Sequence, residues 1–183
     1  MDKNIRNAGI FGIINLIFVI PLTLTEIART MFSVTTRFIV IYILINLIYM
    51  ISSILFIRGF VIIGKKLKIN SLIKSSYSLI IYSIFLSVFI IIFRMLNFSA
   101  SKSFSLVSSI ILLIIGGIIP IFFGISLLKL KKKFGRIATA TGVLNIISGT
   151  GMATVVLIFI SMLVLLPLYI LEIILLFRAS KKL

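Results

Sequence analysis

Long runs without a charged residue, separated by short basic clusters, set the pattern of this chain. The uncharged runs cover 7–25, 38–57, 75–93, 103–128 and 137–171. A helix that crosses a bilayer needs about 20 mostly apolar residues, so each of the first four runs predicts one such helix. The second continues through Arg58 to Gly64, because 59–64 is uncharged as well. The last run is different. Interrupted only by Glu172, its apolar character continues to Phe177, which as helix makes roughly 60 Å, twice the hydrocarbon thickness. It is either two tightly turned spans or one span plus an interfacial helix.

The basic clusters decide between the two, because short cytoplasmic loops are enriched in Lys and Arg. With six spans and both termini cytoplasmic, the inside segments hold Lys3 and Arg6; Lys65, Lys66, Lys68 and Lys74; Lys129, Lys131, Lys132, Lys133 and Arg136; and Arg178, Lys181 and Lys182. Only Arg29, Arg37, Arg94 and Lys102 fall outside. Five spans would move the C-terminal trio outside and weaken that asymmetry. The expected fold is therefore an all-α, polytopic transmembrane bundle of six spans near 8–27, 38–64, 74–94, 104–128, 136–157 and 160–178. It forms a single domain in the plasma membrane. Ala138, Gly142, Asn145, Gly149 and Ala153 share one face of a continuous helix, so that helix is expected to run through Ser148-Gly149-Thr150-Gly151. The turn then falls near 157–161.

Composition supports the membrane assignment and removes most chemistry. Of 183 residues, 61% are hydrophobic and 12% charged, with a mean hydropathy of +1.35. That leaves too little polar surface for a water-soluble globule. The chain has no Cys, His or Trp, and its only acids are Asp2, Glu26 and Glu172. Zinc, haem and iron–sulfur centres draw on His and Cys, and Ca²⁺ or Mg²⁺ sites on clustered carboxylates. Nucleophilic triads need a base of the same kind. No catalytic, cofactor-binding or metal-binding residues are expected, and no enzyme. The opening run, with Lys3 and Arg6 before apolar residues, resembles a signal peptide. No A-x-A-like cleavage site follows it, and it reads as an uncleaved first span.

Candidate sites come from the few polar groups inside the spans. Arg58 lies seven residues before Lys65, and Glu172 six before Arg178. Both therefore sit roughly 10 Å inside the same boundary, and an ion pair between them is expected because membrane-embedded charges tend to pair. Glu26 and Arg29 are spaced for an i,i+3 contact. Ser76, Ser83, Ser87 and Arg94 form a polar stripe, either a water path or a helix–helix seam. Pro21, Pro120 and Pro167 lie within spans, and a helix break is expected at Gly116-Gly117 to Pro120. The small face from Ala138 to Ala153 suits close helix packing. The loop of Lys129, Lys131, Lys132, Lys133 and Arg136 marks orientation and can attract anionic headgroups. It is too short to make a basic face for nucleic acid.

Two segments, "ILFIRGFVIIGKKLKINSLIKSSYSLIIYSI" and "KKKFGRIATATGVLNIISG…LLPLYILEIILLF", are similar to those of a family of small archaeal multi-span membrane proteins of unknown function. The resemblance implies an archaeal source and this architecture, and no activity. The function expected from the residues is a non-catalytic accessory or scaffolding protein packed against partner membrane proteins, a second copy or lipid. The alternative is a small transporter or pore built on Arg58, Glu172 and the broken helix near Pro120.

Overall fold

A computed structural model describes residues 2–31, 36–95 and 102–183; the side chains of residues 23, 26–38 and 93–106 lie outside the description. Among the described residues there are seven helices and no strand: α1 (Lys3–Met31), α2 (Thr36–Lys66), α3 (Asn70–Met95), α4 (Lys102–Leu128), α5 (Lys131–Phe134), α6 (Arg136–Ala153) and α7 (Ile158–Lys182). Five of them, α1, α2, α3, α4 and α7, are long and apolar enough to cross a membrane. The chain is an all-α, multi-pass membrane bundle.

The helix α6 has 18 residues, about 27 Å of rise, and falls outside those five. Its composition is inverted relative to a soluble helix. Thr141, Asn145 and Ser148 are buried, while Ala140, Val143 and Ile147 are exposed. Polar groups turned inward lower the average hydropathy without placing them against lipid. The turn after it occupies 154–157, about one helical turn earlier than expected, and α6 does run unbroken through 148–151. The Thr154 hydroxyl donates to the Thr150 carbonyl at 3.0 Å, and Val155 takes a left-handed φ of 59°. Together they stop the helix where no glycine or proline announces it.

Consecutive long helices pack on one another, and α7 returns to α1, so the six form a closed ring. The chain's two ends meet: the Asp2 N–H donates to the Ser180 carbonyl at 2.7 Å. Lys66 Nζ reaches the Leu183 carbonyl at 3.3 Å, Lys182 Nζ the Lys133 carbonyl at 3.4 Å, and Lys129 Nζ donates to Ser71 Oγ at 2.9 Å. Every basic segment assigned above to the inside therefore lies at one end of the bundle. Six long helices in alternating direction bring both ends of the chain there, with α6 running back between α4 and α7.

The apolar core belongs to that basic end. Phe60 meets Phe56 and Phe123 edge-on, at centroid distances of 5.8 and 5.2 Å. Ile63, Leu72, Leu127, Leu130, Phe134, Ala138, Leu175, Leu176 and Ala179 complete the cluster with Ile5, Ala8 and Ile173. Phe134 is the apolar residue of α5 and turns its side chain into this core, leaving Lys131, Lys132 and Lys133 outside.

The helices α4 and α6 are held together by glycine at two levels. A Cβ on Gly149 would lie 2.5 Å from the Gly117 carbonyl oxygen, and one on Gly142 2.8 Å from that of Gly124. Backbone meets backbone at both levels, with the glycines spaced seven residues apart on each helix. Small residues allow this approach, and in lipid it provides the packing that a hydrophobic driving force cannot.

The expected break in α4 is not there: the helix is continuous from Lys102 to Leu128 with Pro120 inside it. Pro21 and Pro167 are likewise internal to α1 and α7. Gly116-Gly117 is used for close approach, to Tyr82 and to α6, and not for exposing backbone groups.

Candidate functional site

Polar side chains from four helices meet near mid-depth. Asn145 on α6 donates through Nδ2 to Glu172 Oε1 on α7 at 2.8 Å, and to the Thr141 carbonyl at 3.1 Å. One turn before Glu172, the Tyr169 hydroxyl lies 3.3 Å from that of Tyr49 on α2, and the Tyr169 ring stacks on Phe56. Asn15 on α1 donates to the Tyr49 carbonyl and to Ser52 Oγ, both at 3.3 Å. Toward the far end Ser161 Oγ donates to the Ser148 carbonyl at 2.9 Å, tying α7 to α6. Asn15 Oδ1, Asn46 Oδ1 and Ser76 Oγ are buried without a hydrogen-bond partner. Chemically this is a carboxyl group, two amides, two phenols and several hydroxyls, able to bind by hydrogen bonding.

The expected Arg58–Glu172 ion pair is not formed. Depth is not the reason. The helices α2 and α7 run parallel with a near-constant offset, Gly59 against Leu176 and Lys66 against Leu183. That offset sets Arg58 level with Leu175, within one turn of Glu172. Direction separates them. At about 100° per residue, Arg58 points roughly opposite to Phe60, whose ring faces the core. Its side chain is exposed, whereas Glu172 is buried against α6. Spacing from a boundary gives height along a helix, and heading needs a second anchor.

The remaining candidates fall as follows. Ala138, Gly142, Asn145 and Gly149 are buried, and the face they share with Ala153 meets α4 at Gly117 and Gly124. The face thus serves this bundle's own interior, apart from Asn145, which also reaches Glu172. Ser76 and Ser87 are buried and Ser83 Oγ donates to Ser53 Oγ at 3.4 Å, so the α3 stripe is a seam against α2. The side chains of Glu26, Arg29 and Arg94 lie outside the described residues. Lys129, Lys131, Lys132, Lys133 and Arg136 are all exposed.

Sequence reasoning missed Asn15, Tyr49 and Tyr169. A usable signal existed for Asn145 and Glu172. Each is the most polar residue of its helix's middle stretch, and a tight hairpin sets those stretches side by side.

At the basic end one acid is used twice. Asp2 Oδ1 caps α1 by accepting the Asn4 N–H at 2.8 Å and the Ile5 N–H at 3.2 Å. Its Oδ2 pairs with Lys66 Nζ at 2.5 Å. The Lys66 bond, helped by the two N–H groups and opposed by partial burial, holds the Asp2 carboxyl below its ordinary range.

These features define a polytopic α-helical membrane protein with a basic, tightly packed end and a polar belt at mid-depth. No protein-family model matches the chain, and no curated protein or solved structure is similar to it at a significant level.

Proposed function

We propose that the protein is a non-catalytic accessory or scaffolding membrane protein that packs against helices of a partner, with both termini cytoplasmic in an archaeal plasma membrane. One observation carries the reading. The turn before α7 and the first half of that helix stand clear of the bundle: Val156, Phe159 and Leu163 are 83%, 76% and 80% exposed. Only Ser161 and Leu168 are buried between Ile158 and Leu168. A bulky apolar ridge with so few contacts of its own suits the surface of a second transmembrane helix. Exposed lysines at the opposite end hold the orientation against anionic headgroups.

A photoreactive amino acid at Leu163 in native membranes tests it. The expected product is a protein adduct of one defined mass, with the same probe at Ile81 on α3 yielding lipid adducts. Lipid adducts alone at Leu163 sink the proposal.

The mid-depth polar groups favour one second reading, a small transporter. Its site would be Glu172, Asn145, Tyr49 and Tyr169, without Arg58 and without a broken α4. Substrate-dependent flux in liposomes that Glu172→Gln abolishes would establish it and displace the scaffold.

A further inference from the structure

An arginine directed away from its own bundle, well inside the last lysines of its helix, is unusual. Ionisable residues within membrane spans generally face the interior and find a partner there. Arg58 does the opposite. The two acids with described side chains are engaged elsewhere, Asp2 with Lys66 and Glu172 with Asn145. Lys65 lies seven residues further on, within about 20° of the same stripe and about 10 Å closer to the basic end. On the neighbouring helix, α3 runs antiparallel to α2, with Gly64 against Ile73 and Ser53 against Ser83. That register brings exposed Lys74 and Tyr77 to the depths between Arg58 and Lys65.

We infer that the outer face of α2 and α3 at the basic end binds the phosphate of an anionic membrane lipid. The Arg58 guanidinium reaches up from hydrocarbon depth, while Lys65 and Lys74 reach down from the interface. An arginine fork matches phosphate oxygens in a bidentate way that a lysine does not. Its aliphatic stem can lie along apolar surface while the head seeks the headgroup layer. Charge complementarity selects the occupant, because a cation at this depth is stabilised by an anion that can follow it inward. The lipid's acyl chains would then lie along exposed Ile51 and Ile81. This site is separate from the α5 lysines, and it does not depend on the scaffold reading.

The test uses the full chain in nanodiscs of phosphatidylcholine with increasing phosphatidylglycerol, with retained lipid read by native mass spectrometry. The wild type is expected to hold phosphatidylglycerol in preference to phosphatidylcholine. Arg58→Leu is expected to lose that preference on the order of tenfold, with Arg58→Lys keeping part of it and Lys65→Gln weakening it. The triple variant Lys131→Gln, Lys132→Gln, Lys133→Gln should leave it intact. The proposal is overturned if Arg58→Leu retains phosphatidylglycerol like the wild type, or if the triple variant alone abolishes retention. Inorganic phosphate displacing the lipid at millimolar concentration also overturns it, since the site would then hold free anion. So does an Arg58-dependent protein adduct in place of lipid, which would make this face a contact for an acidic partner helix.

Discussion

The two ends of this bundle are built on different physics. At the basic end the interior is aromatic and aliphatic, with Phe56, Phe60, Phe123, Phe134 and Leu176 interlocked and almost without exposure. In the far half, most of the buried residues that are described are small or polar, among them Asn46, Ser87, Gly117, Ser148, Gly149, Gly151 and Ser161. Tyr42 and Leu168 are the large apolar residues buried outside the basic half, among those described. The contrast follows from what each interior is removed from. Next to the loops and α5, burying Leu72, Leu130 and Phe134 is driven as in a soluble protein, and the deeper rings Phe60 and Phe123 belong to the same cluster. Deeper in the bilayer the surroundings are as apolar as leucine, and only close packing and hydrogen bonds distinguish inside from outside.

A matched pair of substitutions on α7 tests that contrast most strongly. Leu176→Ala removes a fully buried side chain that packs on Gly59 and should cost about 3–4 kcal/mol. Leu168→Ala, eight residues away on the same helix, removes the same atoms outside the aromatic and aliphatic cluster and should cost about 2 kcal/mol, the low end for such a truncation. Unfolding in bicelles measures both, and equal losses would erase the distinction between the ends.

The far half should instead be sensitive to added bulk. Gly149→Leu pushes carbon against the Gly117 carbonyl, which as backbone cannot rotate away. The expected loss is about 2–3 kcal/mol, read as lower thermal stability in detergent. Gly135, with open space around its Cβ position, is not a fair control because its φ of 66° favours glycine. Ala140→Leu, on the exposed face of α6, is the better one and should be nearly neutral.

Polar bonding is the other device of the bilayer interior. Asn145→Leu and Glu172→Leu, alone and together, should show a coupling of roughly 0.6–1.7 kcal/mol, the range for hydrogen bonds between membrane helices. Additive losses would mean that the contact contributes little beyond the packing of each side chain.

How much of this was legible in the sequence depended on the kind of information each feature needs. Run lengths of uncharged residues and the placement of Lys and Arg were enough to anticipate an all-α bundle of long apolar helices and a shared end for both termini. The small face of α6 was visible as spacing, and Gly117 and Gly149 now explain what it packs on. Arg58 and Glu172 were placed at the right height and the wrong heading, because hydrophobicity is uniform around a membrane helix and reveals no inward face. The break at Pro120 was expected from residue type alone, and a continuous helix tolerated it. Tyr49 and Tyr169 gave no signal, since a tyrosine in an apolar run reads equally as lipid-facing or buried.

The smallest effect expected lies where the basic end meets water, at Asp2 and Lys66. The folded-state pKa of Asp2 is depressed, so its contribution is fully present above the unfolded value, near 3.8. It is lost as pH falls through the folded value. Lys66 is 40% exposed, so screening by water and salt keeps the contribution below about 1 kcal/mol. Thermal stability should be flat from neutral pH to about 5 and decline below about 4. Asp2→Asn isolates the charge, because asparagine caps a helix about as well as aspartate. The variant should lose stability slightly at pH 7, show a shallower acid decline, and lose its difference from wild type in high salt. An unchanged acid decline in Asp2→Asn would place the titrating group elsewhere and leave the basic end held by its apolar core alone.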